Sequence, residues 1–253
     1  MENETEKPWQ FWNLNDLHAG SEFALDPQGT RPQKWAYGKW KLMIEAMQEA
    51  KKQYRIRVGG GGEFTEKGLL SVSLAVRLWV PVMELADEVH MVRGTAWHTD
   101  DGKADNEVAR ILGIEDRSEE IRFTLDGRHI WHTHHGPKPA VSPRGRANAL
   151  NTTAADIYMD CLESGERIPD LWMYGHWHSP ATGGHRYFDR KGRQHELKVA
   201  CCPPWQLKTR YGFKAVPFTP CPWIGAAVYT PSTNELSHHI WRVPWQYNRG
   251  VTV

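Results

Sequence analysis

From Phe11 to Arg93 the chain alternates apolar strand patterns with helical ones, and that alternation leaves few architectures open. Phe11 to Leu17 stops at His18-Ala19-Gly20 and reads as a strand ending in a turn. Gln33 to Gln53 then places Ala36, Trp40, Met43, Ile44 and Met47 at three- and four-residue spacings, the apolar face of a helix. Tyr54 to Val58 reads as a second strand, followed by four glycines, a long apolar helix to about Asp87, and a third strand from Val89 to Arg93. Strand, helix and strand repeated in this order predict parallel strands covered by helices.

Further along, Lys103 to Leu112 predicts a helix, and Ile121 to Leu125 with His129 to His132 predict a hairpin about Asp126-Gly127. Arg144 to Leu162 is helical in pattern and Leu171 to Tyr174 is a strand, whereas the chain beyond Arg186 reads as short strands between Gly, Pro and Asn. With no repeat and no low-complexity linker, one domain over 1–253 is expected, its β-rich portion at 184–253 packed on the α/β part. Thirty-one Lys and Arg against thirty Asp and Glu disfavour a disordered chain and a protein held on nucleic acid by bulk charge, though a local basic groove stays open. The four cysteines show no CxxC spacing, so a reducing compartment is expected. The start MENETEKPWQ lacks the features of a secretory signal. The apolar stretch Gly68 to Ala86 is broken by Arg77, Pro81 and Glu84, so a core helix and a cytoplasmic chain without membrane contact are expected.

Thirteen histidines make their placement the next question. Candidate ligands follow strands: Asp16 and His18 after the first, Glu63 after the second, Thr95 and His98 after the third, then His134, then His176 and His178. Residues at the carboxyl ends of strands in an open α/β sheet converge on one crevice. A mixed carboxylate and imidazole set suits Mn, Fe, Zn or Ni. Read as a strand, Gly175 to His178 points both His176 and His178 to one face, and His132 and His134 likewise, with His135 turned away.

Blander readings stand beside these. A single Asp or His at a strand end is more often a turn former. Gly59 to Gly62 lacks the Gly-Lys-Ser/Thr of a phosphate loop and reads as a flexible turn. His238 and His239 read as surface residues, and Lys51, Lys52, Arg55 and Arg57 as a solvated face. Most tryptophans default to core packing, but Trp97 and Trp177 sit inside the motifs, where an indole can wall a cleft or stack on a base. Arg144 and Arg146 are candidates for a substrate phosphate.

In order, Asp16-Leu17-His18, Gly62-Glu63-Phe64-Thr65-Glu66, Arg93-Gly94-Thr95-Ala96-Trp97-His98, His134-His135-Gly136 and Gly175-His176-Trp177-His178 resemble the motifs of calcineurin-like metallophosphoesterases. The resemblance covers about residues 10 to 180, and the HAGS turn and VRGT segment are similar to phage and prophage members. It implies an α/β fold, a four-layer α/β/β/α sandwich of two mixed sheets. It further implies two divalent ions, manganese first and Zn, Fe or Ni next. Asp16, His18 and His178 would hold one ion, His134 and His176 the second, with Glu63 bridging and His98 donating a proton to the leaving oxygen. Two departures stand out: Glu63 replaces the usual bridging Asp, and Thr95 replaces the usual Asn ligand. The implied activity is phosphoester hydrolysis, first as a phosphodiesterase or nuclease on DNA, RNA or nucleotides. A phosphomonoesterase or protein phosphatase comes next, and a non-catalytic metal-binding protein is the rival class.

Overall fold

A computed structural model describes residues 7–65, 69–95, 102–140, 142, 145–189, 191–207 and 223–248. Strand β1 (Trp9–Asn15) lies at the centre of the first sheet because it alternates between two apolar layers. Trp12 and Leu14 face one layer and Phe11 the other, all buried. Beside β1 run the parallel strands β2 (Arg55–Gly61), β3 (Glu88–Val92) and β4 (Arg117–Ser118). On its other edge β10 (Trp223–Thr230) pairs antiparallel, followed by β11 (Glu235–Arg242).

The second sheet has the order β5-β6-β7-β9-β8. It comprises β5 (Glu120–Leu125), β6 (Arg128–Thr133), β7 (Leu171–Tyr174), β8 (Ala181–Phe188) and β9 (Gln194–Cys201). The β5–β6 hairpin turns at Asp126 and Gly127, both at positive φ, as a two-residue loop of the primed type requires.

Three apolar layers define four layers of structure. Helices α1 (Arg31–Lys51), α2 (Leu69–Leu85) and α3 (Lys103–Leu112) bury Trp40, Met43, Met47, Trp79 and Val108 against the outer face of the first sheet. Between the sheets lie Phe11, Ile130, Leu171, Met173, Ala200, Ala227 and Tyr229. Helix α4 (Asn148–Ser164) covers the outer face of the second sheet through Leu150 and Ala154 on Tyr174, Leu197 and Val199. Each large side chain so buried contributes on the order of 1.5–3 kcal/mol. The arrangement is the α/β/β/α sandwich of two mixed sheets expected from the sequence. No helix among the described residues is long and apolar enough to cross a membrane.

Four expectations need correction. The β-rich C-terminal portion, expected to pack on the α/β part, pairs within its sheets: β8 and β9 complete the second sheet and β10 inserts next to β1. Helix α4 begins at Asn148 rather than Arg144, which lies outside the described residues. His238 and His239 are half-buried on β11 rather than on the surface, and the His239 ring stacks on Trp12 with centroids 4.9 Å apart. Gly59 to Gly61 are not a flexible turn but the buried end of β2, and only Gly62 takes a positive φ. The reason is space: a Cβ on Gly59 would lie 2.8 Å from the Phe11 ring and 2.9 Å from His132, where the two sheets meet.

Gly59→Ala should therefore destabilise the fold by about 1–3 kcal/mol in denaturant unfolding. Gly38→Ala, in α1 with nothing within 4 Å of the added Cβ, should stabilise by about 0.5–1 kcal/mol in the same assay.

Candidate metal centre

The carboxyl ends of β1, β2 and β3 in the first sheet and of β6 and β7 in the second open onto the same region, because the two sheets pack with these ends together. Asp16 and His18 follow β1, Glu63 follows β2, Thr95 follows β3, His134 follows β6, and His176 and His178 follow β7. Beyond β1 and β2 the pairing continues through the loops, from Asp16 N–H to Gly61 O (3.1 Å) and from His18 N–H to Glu63 O (2.8 Å). The sheets are joined at the site by the His176 N–H, which donates to Asp16 Oδ2 at 2.9 Å.

Among the described residues, seven that are not glycine have positive φ, and five of them are Asp16 (50°), His18 (46°), Glu63 (50°), His176 (69°) and His178 (48°). Left-handed backbone costs such residues on the order of 1–3 kcal/mol each and persists where surrounding structure imposes it, most often at functional sites. It also replaces the expected strand alternation at His176 and His178: β7 ends at Tyr174, and the two rings are aimed by a loop.

Two groups of ligand atoms result. Asp16, His18, Glu63 and His178 each offer one atom, all within 4.8 Å of one another, and so do His134, His135 and His176. Glu63 faces both groups. Its Oε2 lies 2.8 Å from His18 Nε2, while its Oε1 lies 3.5 Å from His134 Nε2 and 3.8 Å from His176 Nδ1. The Glu63 carboxylate thus reaches both groups. Thr95 donates its hydroxyl to Glu63 Oε1.

The electrostatics favour a cation. Asp16 and Glu63 are buried, and among the described residues their ion-pair partners are all histidines. Burial, reinforced by Glu63, pushes the Asp16 carboxyl up. Burial also acts against the charge on Glu63, but the imidazoles of His134, His176 and His18 around it hold its carboxyl below the usual range. Burial lowers the His134 imidazole, takes His178 down to about 3 and His135 to about 4, with neighbouring imidazoles adding to it. Neutral imidazoles beside carboxylates are what borderline divalent ions bind. Asp16 Oδ1, both His134 ring nitrogens and His176 Nδ1 are buried without a hydrogen-bond partner. Buried polar atoms of this kind require an explanation, and bound cations would supply one for Asp16 Oδ1, for His176 Nδ1 and for one nitrogen of His134.

The structure thus brings Asp16, His18, Glu63, His134, His176 and His178 together. Thr95 is present as a partner of Glu63. Trp177 flanks the region, its Nε1 donating to Gly136 O at 2.8 Å. His98 and Trp97 lie outside the described residues. His132 does not join the site: it is buried between the sheets, 2.7 Å from His90 Nε2. Arg57 Nε donates to His90 Nδ1 at 3.1 Å, which leaves the His90 proton on Nε2, facing His132.

Two residues escaped the sequence reading. His135 was set aside by strand alternation, although its adjacency to His134 in HTHHG was a usable signal. Asp105, buried in the first turn of α3, accepts from the Phe64 N–H (3.1 Å) and the Thr65 hydroxyl (3.3 Å) and so anchors the loop carrying Glu63. Nothing in its sequence context marked it.

No family model matches the chain, and no curated protein matches it in sequence. Among solved structures the chain is similar to an archaeal phosphodiesterase, at 12% identity over 92% of this chain and 99% of that one, with a TM-score of 0.45. It is similar also to a dimetal phosphatase from Danio rerio (9% identity, 95% and 100% covered, TM-score 0.46). A third is Vps29 from Chaetomium thermophilum (10% identity, 93% of each chain, TM-score 0.42).

Asp105→Ala would leave the Phe64 N–H without its acceptor, a loss of about 1–3 kcal/mol for a buried donor. Denaturant unfolding should show that loss, and protease cleavage within the Glu63 loop should accelerate with it.

Proposed function

We propose that the chain is a metal-dependent phosphoester hydrolase, a phosphodiesterase or nuclease acting on nucleic acid or nucleotides through a dinuclear centre. The observation that carries this reading is the pair of ligand groups facing the two oxygens of one buried carboxylate, Glu63. Asp16, His18 and His178 would hold one divalent ion, His134 and His176 the other, and Glu63 would bridge them. Two divalent ions bound there activate water as a nucleophile and neutralise charge developing on the phosphoryl oxygens.

The chain's own residues supply orientation. The His176 N–H fixes Asp16 Oδ2, leaving Oδ1 directed to the site. Thr95 holds the Glu63 carboxylate in place. Trp177 offers a half-buried ring, with the Lys138 ammonium 5.3 Å from its centroid. An aromatic face beside a cation suits a base and an adjoining phosphate, which supports a nucleotide or nucleic acid as substrate class. His98 is proposed as proton donor to the leaving oxygen on motif order, a role suited to an imidazole.

Hydrolysis of bis(p-nitrophenyl) phosphate by chelator-stripped protein, with manganese, zinc, nickel or iron restored, tests the reading. Turnover should require metal, and Asp16→Ala or His178→Ala should lower kcat/KM by roughly 100-fold or more with the circular dichroism unchanged, since outer-shell losses alone cost 10–100-fold. Full activity in either variant would refute the assignment, and no turnover with any metal would favour a non-catalytic metal-binding protein. His98→Ala should slow esters with poor leaving groups more than activated ones. Equal slowing of both would remove it from the acid role.

A further inference from the structure

We propose that His135 is the third imidazole of the second ion's site, filling the position that Thr95 leaves open by giving its hydroxyl to Glu63; this rests on the dinuclear reading above. Three observations converge on it. The first is the arrangement of the rings. His134 and His135 have centroids 4.6 Å apart, His135 and His176 4.6 Å, and His134 and His176 5.1 Å, with interplanar angles of 72°, 65° and 72°. One nitrogen from each ring lies within 4.8 Å of the other two, so a donor atom of each ring reaches one shared region.

The second is how the backbone puts His135 there. Strand β6 ends at Thr133, and the Thr133 hydroxyl donates to His135 O at 2.6 Å, closing a tight turn. Trp172 Nε1 donates to that same hydroxyl at 2.8 Å, and Gly175 N–H donates to His134 O at 3.1 Å, tying the turn to the end of β7. The alternation that would turn His135 away has ended one residue before His134. A Cβ on Gly62 would lie 2.3 Å from His134 Nδ1, so the other side of the cluster is closed by backbone.

The third is that the two rings beside His135 carry buried nitrogens without a hydrogen-bond partner. Among the described residues no hydrogen bond links the three imidazoles to one another, and both nitrogens of His134 and Nδ1 of His176 are buried without a partner. Packing alone would leave such atoms desolvated and unpaired, which is costly for a buried polar group. Three imidazoles and one oxygen of Glu63 would make a four-donor set of the kind zinc takes. A threonine hydroxyl already engaged with that carboxylate would be a poor fourth donor.

The test is zinc titration of the chelator-stripped full chain by calorimetry, with elemental analysis after desalting. Wild-type protein should bind two zinc ions. His135→Ala, at an exposed position where the fold is not at risk, should keep the first and bind the second roughly 100-fold more weakly or not at all. Imidazole nitrogen NMR shifts on zinc addition should include a ring signal absent from the variant. If wild type binds two ions and His135→Ala binds two with unchanged affinity, the inference fails and the dinuclear reading stands. Loss of turnover with both ions retained would likewise overturn it, making His135 a substrate-facing group. If wild type binds fewer than two, the dinuclear reading itself fails.

Discussion

The two sheets are locked together where the loop after β7 meets the loop after β1, and the site exists because of that contact. The His176 N–H donates to Asp16 Oδ2. A Cβ on Gly175 would lie 2.9 Å from both Asn15 Cγ and Asp16 Oδ2, so the backbone of one sheet rests directly on side chains of the other. The Cys201-to-Trp205 segment reinforces the join from beneath. Cys202 N–H reaches Tyr174 O at 2.7 Å and Trp205 N–H reaches Asn15 O at 3.0 Å, and every residue of the segment is buried. It supports the centre from beneath.

That join concentrates strain and unpaired polarity in one place. Five residues with left-handed backbone and a set of buried ring nitrogens and carboxylate oxygens lie within one cluster, supported by three apolar layers. Burial of the layers supplies the stability that lets the centre hold conformations its residues would not adopt alone. The departures at Glu63 and Thr95 also become intelligible together. The longer carboxylate reaches both ligand groups, and the threonine hydroxyl fixes it from the side.

Much of the architecture was legible in residue pattern because it follows from local rules. Helix α3 and strand β7 occupy the spans read from periodicity, and the Asp126-Gly127 turn closes the hairpin as its chemistry demands. The ligand candidates were legible for a different reason: carboxylates and imidazoles stood just after strand patterns, and parallel strands bring such positions together. Gly59 to Gly61 were misread because the room for a side chain depends on Phe11, Phe64, Asn15 and His132, remote in sequence. His238 and His239 were misread because β11 packs its imidazoles inward, against Trp12 in the case of His239.

By itself, then, the sequence determined the alternation of strands and helices, the ligand chemistry and its order along the chain, since these depend on residue type and spacing. Tertiary structure decided which rings share a centre. His132 and His134 are two residues apart, yet His132 turns to His90 between the sheets while His134 meets His176 from another strand. His135 joins them because a hydrogen-bonded turn ends the strand's alternation. Such choices follow from where β6, β7 and β1 stop relative to one another, a property of packed sheets that no local pattern encodes.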